Sequence, residues 1–352
     1  MVSLVFIPLL STDLGASDLV VGIIGAAYGV AYLFSSLFFG WKSDTLGRLV
    51  FIRTGLLMSS LAFLAQTMAY NLVILTIIRA GVGFTLGISS AALIAYIYES
   101  HGNVGKFSSY GSLGWIFSAA AAAILIKYNT LFTLSAVLSI TAFLVSLTMS
   151  EAAAPEKRIT PQLFKVMRRN AGVYLAFFFR HLGAAATWVI LPLFFTSIGA
   201  DKSWIGILWG INFVVQFIAM RYVERFPEKK IFIIGQVLSV IVFLGYSLSN
   251  NYLQVVPIQI LLGLSWSFLY VGALLIVLHS GEEKGTASGV FFSTINLCGA
   301  VGPFIGGLIT HLWGFHAVMI FAATVTLIGL LPSFSTGKGE MAGSKMTLSK
   351  LE

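Results

Sequence analysis

A charged segment with several glycines, residues 40–53, separates two long apolar stretches of the sequence. We call this segment the hinge. It contains Gly40, then Asp44, and then Gly47 followed directly by Arg48. Glycine permits close packing or a sharp turn, and the two charged side chains can form strong hydrogen bonds and an ion pair. The hinge is therefore the first candidate for a functional site.

The Asp44 carboxylate has a predicted partner late in the sequence. An apolar stretch begins near Gly285, and the free N–H groups at the start of a helix attract a carboxylate. We therefore predict that Asp44 accepts hydrogen bonds from that helix. Ion pairs are predicted beside this contact: Arg48 or Lys42 with Glu282 or Glu283. The alternative is that these are ordinary surface ion pairs, worth about 0–1 kcal/mol each.

Two arginines, Arg79 and Arg180, lie inside apolar stretches. A guanidinium stays charged in nearly all surroundings, so each needs a compensating group. Every aspartate and glutamate of the sequence lies outside these stretches or at their ends. The partner is either a carboxylate that precedes Met1 or a negatively charged substrate. We predict that Arg180 contacts substrate and that Arg79 serves packing or ion coupling.

Other residues in the middle of apolar stretches suit a polar and aromatic cavity, or equally contacts between helices. The members of this group are His181, Trp188, Asn212, Gln216, Gln259, Ser265, Trp266, Tyr270 and Asn296. His181 is either a proton carrier, because histidine titrates near neutral pH, or a neutral hydrogen-bonded side chain.

The composition indicates an integral membrane protein. Hydrophobic residues make up 58% of the 352 residues and charged residues 10%, and the mean hydropathy is +0.94. In soluble proteins the apolar fraction is nearer half and the charged fraction about a quarter. The single cysteine, Cys298, excludes a disulfide framework and a cysteine-based metal site. We expect no metal and no cofactor.

A helix needs about 20 apolar residues to cross a bilayer. Eleven stretches meet this requirement, at about 19–41, 49–69, 72–98, 108–127, 130–149, 171–197, 203–220, 231–248, 254–279, 285–309 and 314–334. Met1–Leu10 is apolar but only half a span long, and a polar turn is predicted at 11–18. We interpret it as the second half of an incomplete first helix. The predicted number of membrane helices is then twelve.

The basic residues predict the orientation. Lys and Arg collect in cytoplasmic loops, and placing the hinge in the cytoplasm puts most of the 21 Lys and Arg residues on that side. The net charge of +8 therefore reflects topology and does not indicate nucleic acid binding. The predicted organisation has two bundles at 1–149 and 171–334, a cytoplasmic linker at 150–170 and a flexible cytoplasmic tail at 335–352. The location is the inner or plasma membrane.

The two halves also repeat weakly. An offset of 180 residues pairs Gly55 with Gly235 and Asp44 with Glu224. The second hinge lacks the glycines and the arginine of the first, so we predict that any gating role belongs mainly to the first.

The hinge spacing resembles the loop signature of the major facilitator superfamily. Arg79, Gly83 and Gly87 are similar to that family's pattern in its fourth helix. Near the end of the chain, a pattern similar to the family's antiporter motif occupies the eleventh span instead of the fifth: Gly302, Pro303, Gly306 and Gly307. The resemblance implies an all-α membrane protein of two six-helix bundles, with the substrate bound between them near the midplane.

Three functions compete. The resemblance implies a secondary transporter that moves a small-molecule solute by alternating access, with protons as the expected coupling ion. The alternatives are a multidrug efflux carrier of the same fold and a transport-inactive membrane sensor. An enzyme is not expected, because the five histidines are scattered and the sequence lacks a nucleotide-binding Gly-Lys-Ser/Thr loop. The expected partners are substrate and the lipid bilayer, with no nucleic acid, for a monomeric protein.

Overall fold

The structure is a computed structural model that describes residues 7–125, 127–150 and 162–334. These residues form helices and connecting turns, with no strand among them. The helices are α1 (Ile7–Asp13), α2 (Asp18–Leu46), α3 (Arg48–Ala65), α4 (Leu72–Glu99), α5 (Val104–Leu125), α6 (Tyr128–Leu147), α7 (Leu163–Arg169), α8 (Ala171–Ser197), α9 (Lys202–Tyr222), α10 (Glu228–Leu248), α11 (Tyr252–His279) and α12 (Lys284–Phe334).

Each of the eleven predicted spans coincides with a helix. Among the described residues, nine helices are long and apolar enough to cross a membrane. The longest, α12, has 51 residues and contains the last two predicted spans. They join at Gly314, where φ is 80° and ψ is 178°, a backbone conformation that glycine tolerates. The last two predicted spans are thus two helices that meet in a sharp bend at Gly314, and the label α12 covers both.

The structure corrects two local predictions. Helix α1 runs through Ser11 and Thr12, which were assigned to a polar turn; their hydroxyls donate to carbonyls one helical turn earlier, at 2.7 and 3.0 Å. Helix α7 lies in the predicted linker and was not foreseen. The remainder of the linker, 151–161, and the predicted tail, 335–352, lie outside the described residues. The proposed boundaries at 149 and 171 therefore stay a prediction.

The helices pack in two groups, which we call the N-terminal bundle (α1–α6) and the C-terminal bundle (α8–α12). Within the first, α4 packs on α2 and α3; within the second, α12 packs along α8 and α10. The bundles meet where α2 contacts α12 and where α5 contacts α9.

One hydrophobic cluster of the described residues joins both bundles. It includes Ile94 and Val104 of the N-terminal bundle and Val271 and Phe291 of the C-terminal bundle. Most of its members lie toward the same end of the protein as the hinge, which we call the hinge side. The opposite end is the far side. The bundles are therefore packed together on the hinge side.

Candidate functional site

The hinge owes its shape to two glycines. Helix α2 ends at Leu46 and α3 begins at Arg48, and Gly47 between them has φ 94°, a conformation that a residue with a side chain rarely adopts. Gly40 lies against α12: a Cβ atom there would stand 2.5 Å from the carbonyl oxygen of Gly285 and 3.0 Å from the Cα of Gly289. Gly40 thus lets α2 and α12 touch.

Asp44 forms the contact that the sequence predicted. Its carboxylate accepts hydrogen bonds from the backbone N–H groups of Gly285 and Thr286, at 2.8 and 2.7 Å, and from the Thr286 hydroxyl at 2.5 Å. The side chain is only 3% exposed. A carboxylate of the N-terminal bundle therefore caps the first turn of α12 in the C-terminal bundle.

The predicted pairing of Arg48 with Glu282 or Glu283 is wrong. Arg48 contacts Asp44 at 2.7 Å and Glu99, at the end of α4, at 2.6 Å, and it donates to the Ser43 hydroxyl at 2.8 Å. The turn at Gly47 directs the guanidinium back into its own bundle. Arg48 therefore fixes the orientation of the Asp44 carboxylate instead of crossing to the other bundle.

The other proposed members of this ion-pair group have different partners. The Lys42 ammonium lies over the Trp41 ring, 4.5 Å from its centroid. Glu283 pairs with Arg169 of α7 at 2.8 Å. Partial burial acts to raise the pKa of the Glu283 carboxyl, but Arg169 and a backbone N–H outweigh it, and the pKa lies below its ordinary value. Helix α7 thus supplies the cation that the sequence had assigned to the hinge.

A second carboxylate crosses between the bundles on the hinge side. Glu224, just after α9, accepts a hydrogen bond from the backbone N–H of Gly105 in the first turn of α5, at 2.6 Å. The offset of 180 residues that relates Asp44 to Glu224 also relates Gly105 to Gly285. The second hinge lacks the glycines of the first, but its acidic residue also accepts a hydrogen bond from the first turn of a helix in the other bundle. The repeat itself was a usable signal for Gly105, which the sequence analysis missed.

Four aromatic side chains lie near the middle of the helices, one pair in each bundle. Tyr28 and Tyr32 of α2 have ring centroids 6.0 Å apart, and Trp266 and Tyr270 of α11 have centroids 5.1 Å apart. We call these four residues the central aromatic line. All four are partly exposed. Sequence analysis found the α11 pair and missed the α2 pair, although both pairs have the spacing of one helical turn.

A buried guanidinium lies against each end of the central aromatic line. Arg180 is fully buried and 5.3 Å from the centroid of Trp266, and its Nε donates to Ser239 at 2.9 Å. Arg79 is 3% exposed and 4.5 Å from the centroid of Tyr28, and one Nη donates to Gln66 at 3.3 Å.

Hydrogen bonding leaves both guanidinium groups incompletely satisfied. Both Nη atoms of Arg180 and the Nε of Arg79 have no hydrogen-bond partner among the described residues. Within the same residues, neither arginine forms an ion pair with a carboxylate. The shortage of buried acids noted in the sequence therefore persists in the described structure.

The remaining candidates divide by position. The ring of His181 lies 5.4 Å from those of Trp188 and Trp266, within the aromatic cluster of the C-terminal bundle. Asn212 and Gln216 hydrogen-bond each other at 2.5 Å, and Gln216 accepts from Ser112 of α5 at 3.1 Å. This pair thus belongs to the seam between α5 and α9.

Two further residues lie elsewhere. The side-chain amide of Asn296 donates to the backbone carbonyl of Phe292 at 2.8 Å. The backbone carbonyl of Asn296 lies beside Gly29 of α2. Gln259 is fully buried, and its side-chain amide has no hydrogen-bond partner in the part of the chain that the structure describes.

The glycines of the predicted packing motif are not equivalent. A Cβ on Gly302 would stand 2.5 Å from the Cβ of Ala185, and one on Gly306 would overlap the carbonyl of Ala186. Both glycines therefore let α12 touch α8. Gly307 has no such contact within 4 Å, so its assignment to helix packing is wrong for the described residues. Because neighbouring residues point in different directions around a helix, Gly307 lies on another face of α12 than Gly306.

Known proteins match almost the whole chain. The sequence profile of the Major Facilitator Superfamily matches residues 1–211 and 173–343. The multidrug resistance protein MdtG of Klebsiella pneumoniae (strain 342) is 25% identical over 338 residues, which cover 88% of this chain and 82% of that protein. MdtG of Proteus mirabilis (strain HI4320) is 24% identical, with coverage of 94% and 90%.

A solved structure has the same fold. The crystal structure of the human organic anion transporter MFSD10 (TETRAN) superposes with a TM-score of 0.74 at 17% identity, covering 93% of this chain and 88% of that one. Together with the apolar helices and the profile match, this defines a multi-pass membrane protein. The chain belongs to the major facilitator superfamily of transporters.

Proposed function

We propose that this protein is a secondary active transporter that works by alternating access, in a state closed on the hinge side. The observation that carries the proposal is the pair of carboxylates that cross between the bundles. Asp44 caps α12 and Glu224 caps α5. Water can replace a carboxylate at a helix terminus, so such a contact holds two bundles together yet can release them. Opening of the hinge side requires both caps to break.

The proposed substrates are several amphipathic compounds, carried outward. The two MdtG proteins are named for multidrug resistance, and the central aromatic line offers flat apolar surfaces that do not require one particular ligand shape. A carrier of one small solute is the second candidate. Protons are the proposed coupling ion, and His181, whose ring packs against Trp266 of the central aromatic line, is the proposed proton carrier. The protein is proposed to act as a monomer.

A cysteine pair at the α2–α12 seam tests alternating access. The hydroxyl oxygens of Ser36 and Ser293 are 3.1 Å apart, one in each bundle. In a Cys298→Ser background, oxidation of the Ser36→Cys, Ser293→Cys protein should lock the hinge side closed and stop expulsion of amphipathic dyes from energised cells. A reductant should restore it, and each single variant should be insensitive to oxidation. Full transport by the cross-linked protein would rule out the proposed mechanism.

The orientation gives a separate prediction. Tyr70, between α3 and α4 on the far side, is 74% exposed, and Leu46 in the hinge is 61% exposed. In the Cys298→Ser background, an impermeant maleimide applied to intact cells should label Tyr70→Cys and leave Leu46→Cys unlabelled until the cells are lysed. Both side chains are exposed, so the maleimide should label both cysteines in lysed cells, which serve as the control. The opposite pattern would place the hinge outside.

A further inference from the structure

We infer that the protein binds its substrate beside the central aromatic line and selects organic anions with an aromatic part. Arg79 and Arg180 set this preference through the Tyr28 and Trp266 rings that they contact. The inference rests on the proposed transport function and names its substrate class. It starts from the fact that a buried guanidinium lies against an outer member of the central aromatic line in each bundle. The ring centroids of Tyr28 and Trp266 are 4.5 and 5.3 Å from the two guanidinium carbons.

The two charges are uncompensated among the described residues. Arg180 is fully buried with both Nη atoms free of hydrogen bonds, and Arg79 is 3% exposed with a free Nε. Arginine keeps its charge when buried, so each guanidinium adds positive potential to a region of low dielectric. Hydroxyl and amide contacts to Ser239 and Gln66 orient these groups but do not neutralise them.

The positive potential of each guanidinium extends across the aromatic ring that it contacts. Tyr28 and Trp266 are partly exposed, whereas both arginines are buried. A ligand bound beside the central aromatic line would therefore contact the exposed part of the ring and not the guanidinium. At van der Waals contact with Trp266, about 3.5–4 Å away, its charge would be roughly 9 Å from Arg180. A cation already on one face of a ring also weakens the attraction of the ring for a second cation. The arrangement therefore opposes a cationic ligand and favours an anionic one.

The size of the effect follows from Coulomb's law. Two unit charges about 9 Å apart at an effective dielectric constant of about 20 change affinity by a factor of roughly 20. Each arginine favours the anion and disfavours the cation by about this factor, so a matched anion and cation should differ in affinity by at least roughly 400-fold. Removal of one arginine should reduce this ratio by roughly 400-fold. Each arginine acts on the ligand only through its electric field and does not contact it. Loss of its charge should therefore change the selectivity between anions and cations and have little effect on the affinity for neutral compounds.

The experiment compares two probes with the same ring and opposite charge, 2-naphthoate and 2-naphthylmethylammonium. Binding is measured by calorimetry on the full chain in nanodiscs of uncharged lipid, with 2-naphthylmethanol as the neutral reference. We expect the wild type to prefer the carboxylate. Arg180→Gln and Arg79→Gln should each lower the carboxylate-to-ammonium ratio by roughly a few hundredfold and leave the alcohol affinity within about twofold.

Arg221 provides the matched control. Its guanidinium also lies against aromatic rings, 4.5 Å from Phe217 and 5.3 Å from Tyr110, but at the hinge-side end of α9. Arg221→Gln should leave the probe ratio unchanged. If Arg180→Gln does not fold, Arg79→Gln alone tests the inference. Wild-type protein that prefers the ammonium or binds neither charged probe overturns it, as does an unchanged ratio in a folded variant. Anion preference in a protein that moves no dye would instead contradict the proposed transport, so the two failures are distinguishable.

Discussion

Replacement of Asp44 by asparagine should shift the protein toward a state that is open on the hinge side. The carboxylate accepts three hydrogen bonds from the first turn of α12 and pairs with Arg48 at 2.7 Å. The asparagine amide has the size of the carboxylate but no charge. Its NH2 group is itself a donor and cannot accept a hydrogen bond from the N–H groups of α12. We expect the closed state to lose roughly 2–4 kcal/mol, because charged hydrogen bonds and a helix-terminus contact are lost together.

The measurement is the labelling rate of a cysteine at Ser36, in the Cys298→Ser background. Ser36 is fully buried at the α2–α12 seam, so a maleimide reaches it when that seam opens. Labelling in Asp44→Asn should be at least about tenfold faster, the factor that 1.4 kcal/mol represents.

Asp201→Asn is the control. Asp201 also caps a helix, accepting from the Trp204 N–H at 2.8 Å, but within one bundle and on the far side. It should lower stability without exposing Ser36. Equal labelling of Ser36→Cys in the Asp44→Asn and Asp201→Asn proteins would show that the Asp44 cap does not hold the hinge side closed.

Substitution at Gly306 should damage the protein, whereas the same substitution at its neighbour should not. A Cβ on Gly306 would overlap the backbone of Ala186, and backbone atoms cannot move aside without separating α12 from α8. Gly306→Ala should therefore cost at least ~2–3 kcal/mol, the upper part of the range for overpacking. Gly307 has open space at this position, and Gly307→Ala should be neutral or gain up to about 1 kcal/mol of helix propensity.

Heating the detergent-solubilised protein and measuring the folded fraction by size-exclusion chromatography compares the two variants. Gly302→Ala, which faces Ala185, should resemble Gly306→Ala. A loss of similar size in Gly307→Ala would mean that the damage comes from the helix itself and not from its contact with α8.

Long apolar stretches predicted the fold well, because a bilayer leaves a chain few ways to satisfy its backbone other than a helix. The Asp44 contact was also predictable, since a carboxylate at a span end and a distant helix start are both visible in the sequence. The boundary between the last two helices was predicted as well, because the sequence has separate apolar stretches at 285–309 and 314–334. Composition did not show that they join in a bend at the single residue Gly314 and not in a short loop.

The ion pairs of Arg48 illustrate what the sequence lacked. Several acidic residues near the hinge side are plausible partners by charge alone, and the choice depends on the turn at Gly47 that directs Arg48 toward Glu99. Similarly, Gly306 and Gly307 are indistinguishable as a motif. Which one faces α8 depends on the rotation of α12 about its axis, a property of the assembled bundle.

The length of the first helix in α12, before the bend at Gly314, has a mechanical consequence. Residues 284–313 form one rod about 45 Å long at 1.5 Å per residue, with the Asp44 contact at one end and the break at Gly314 at the other. Gly302 and Gly306 hold the rod against α8 between these ends, and Pro303 removes a backbone hydrogen bond there. We therefore expect the rod to act as a lever that pivots at 302–306. Displacement of its hinge-side arm would then tilt the opposite arm, so that breaking the Asp44 contact at one surface would move the helix end at the other surface.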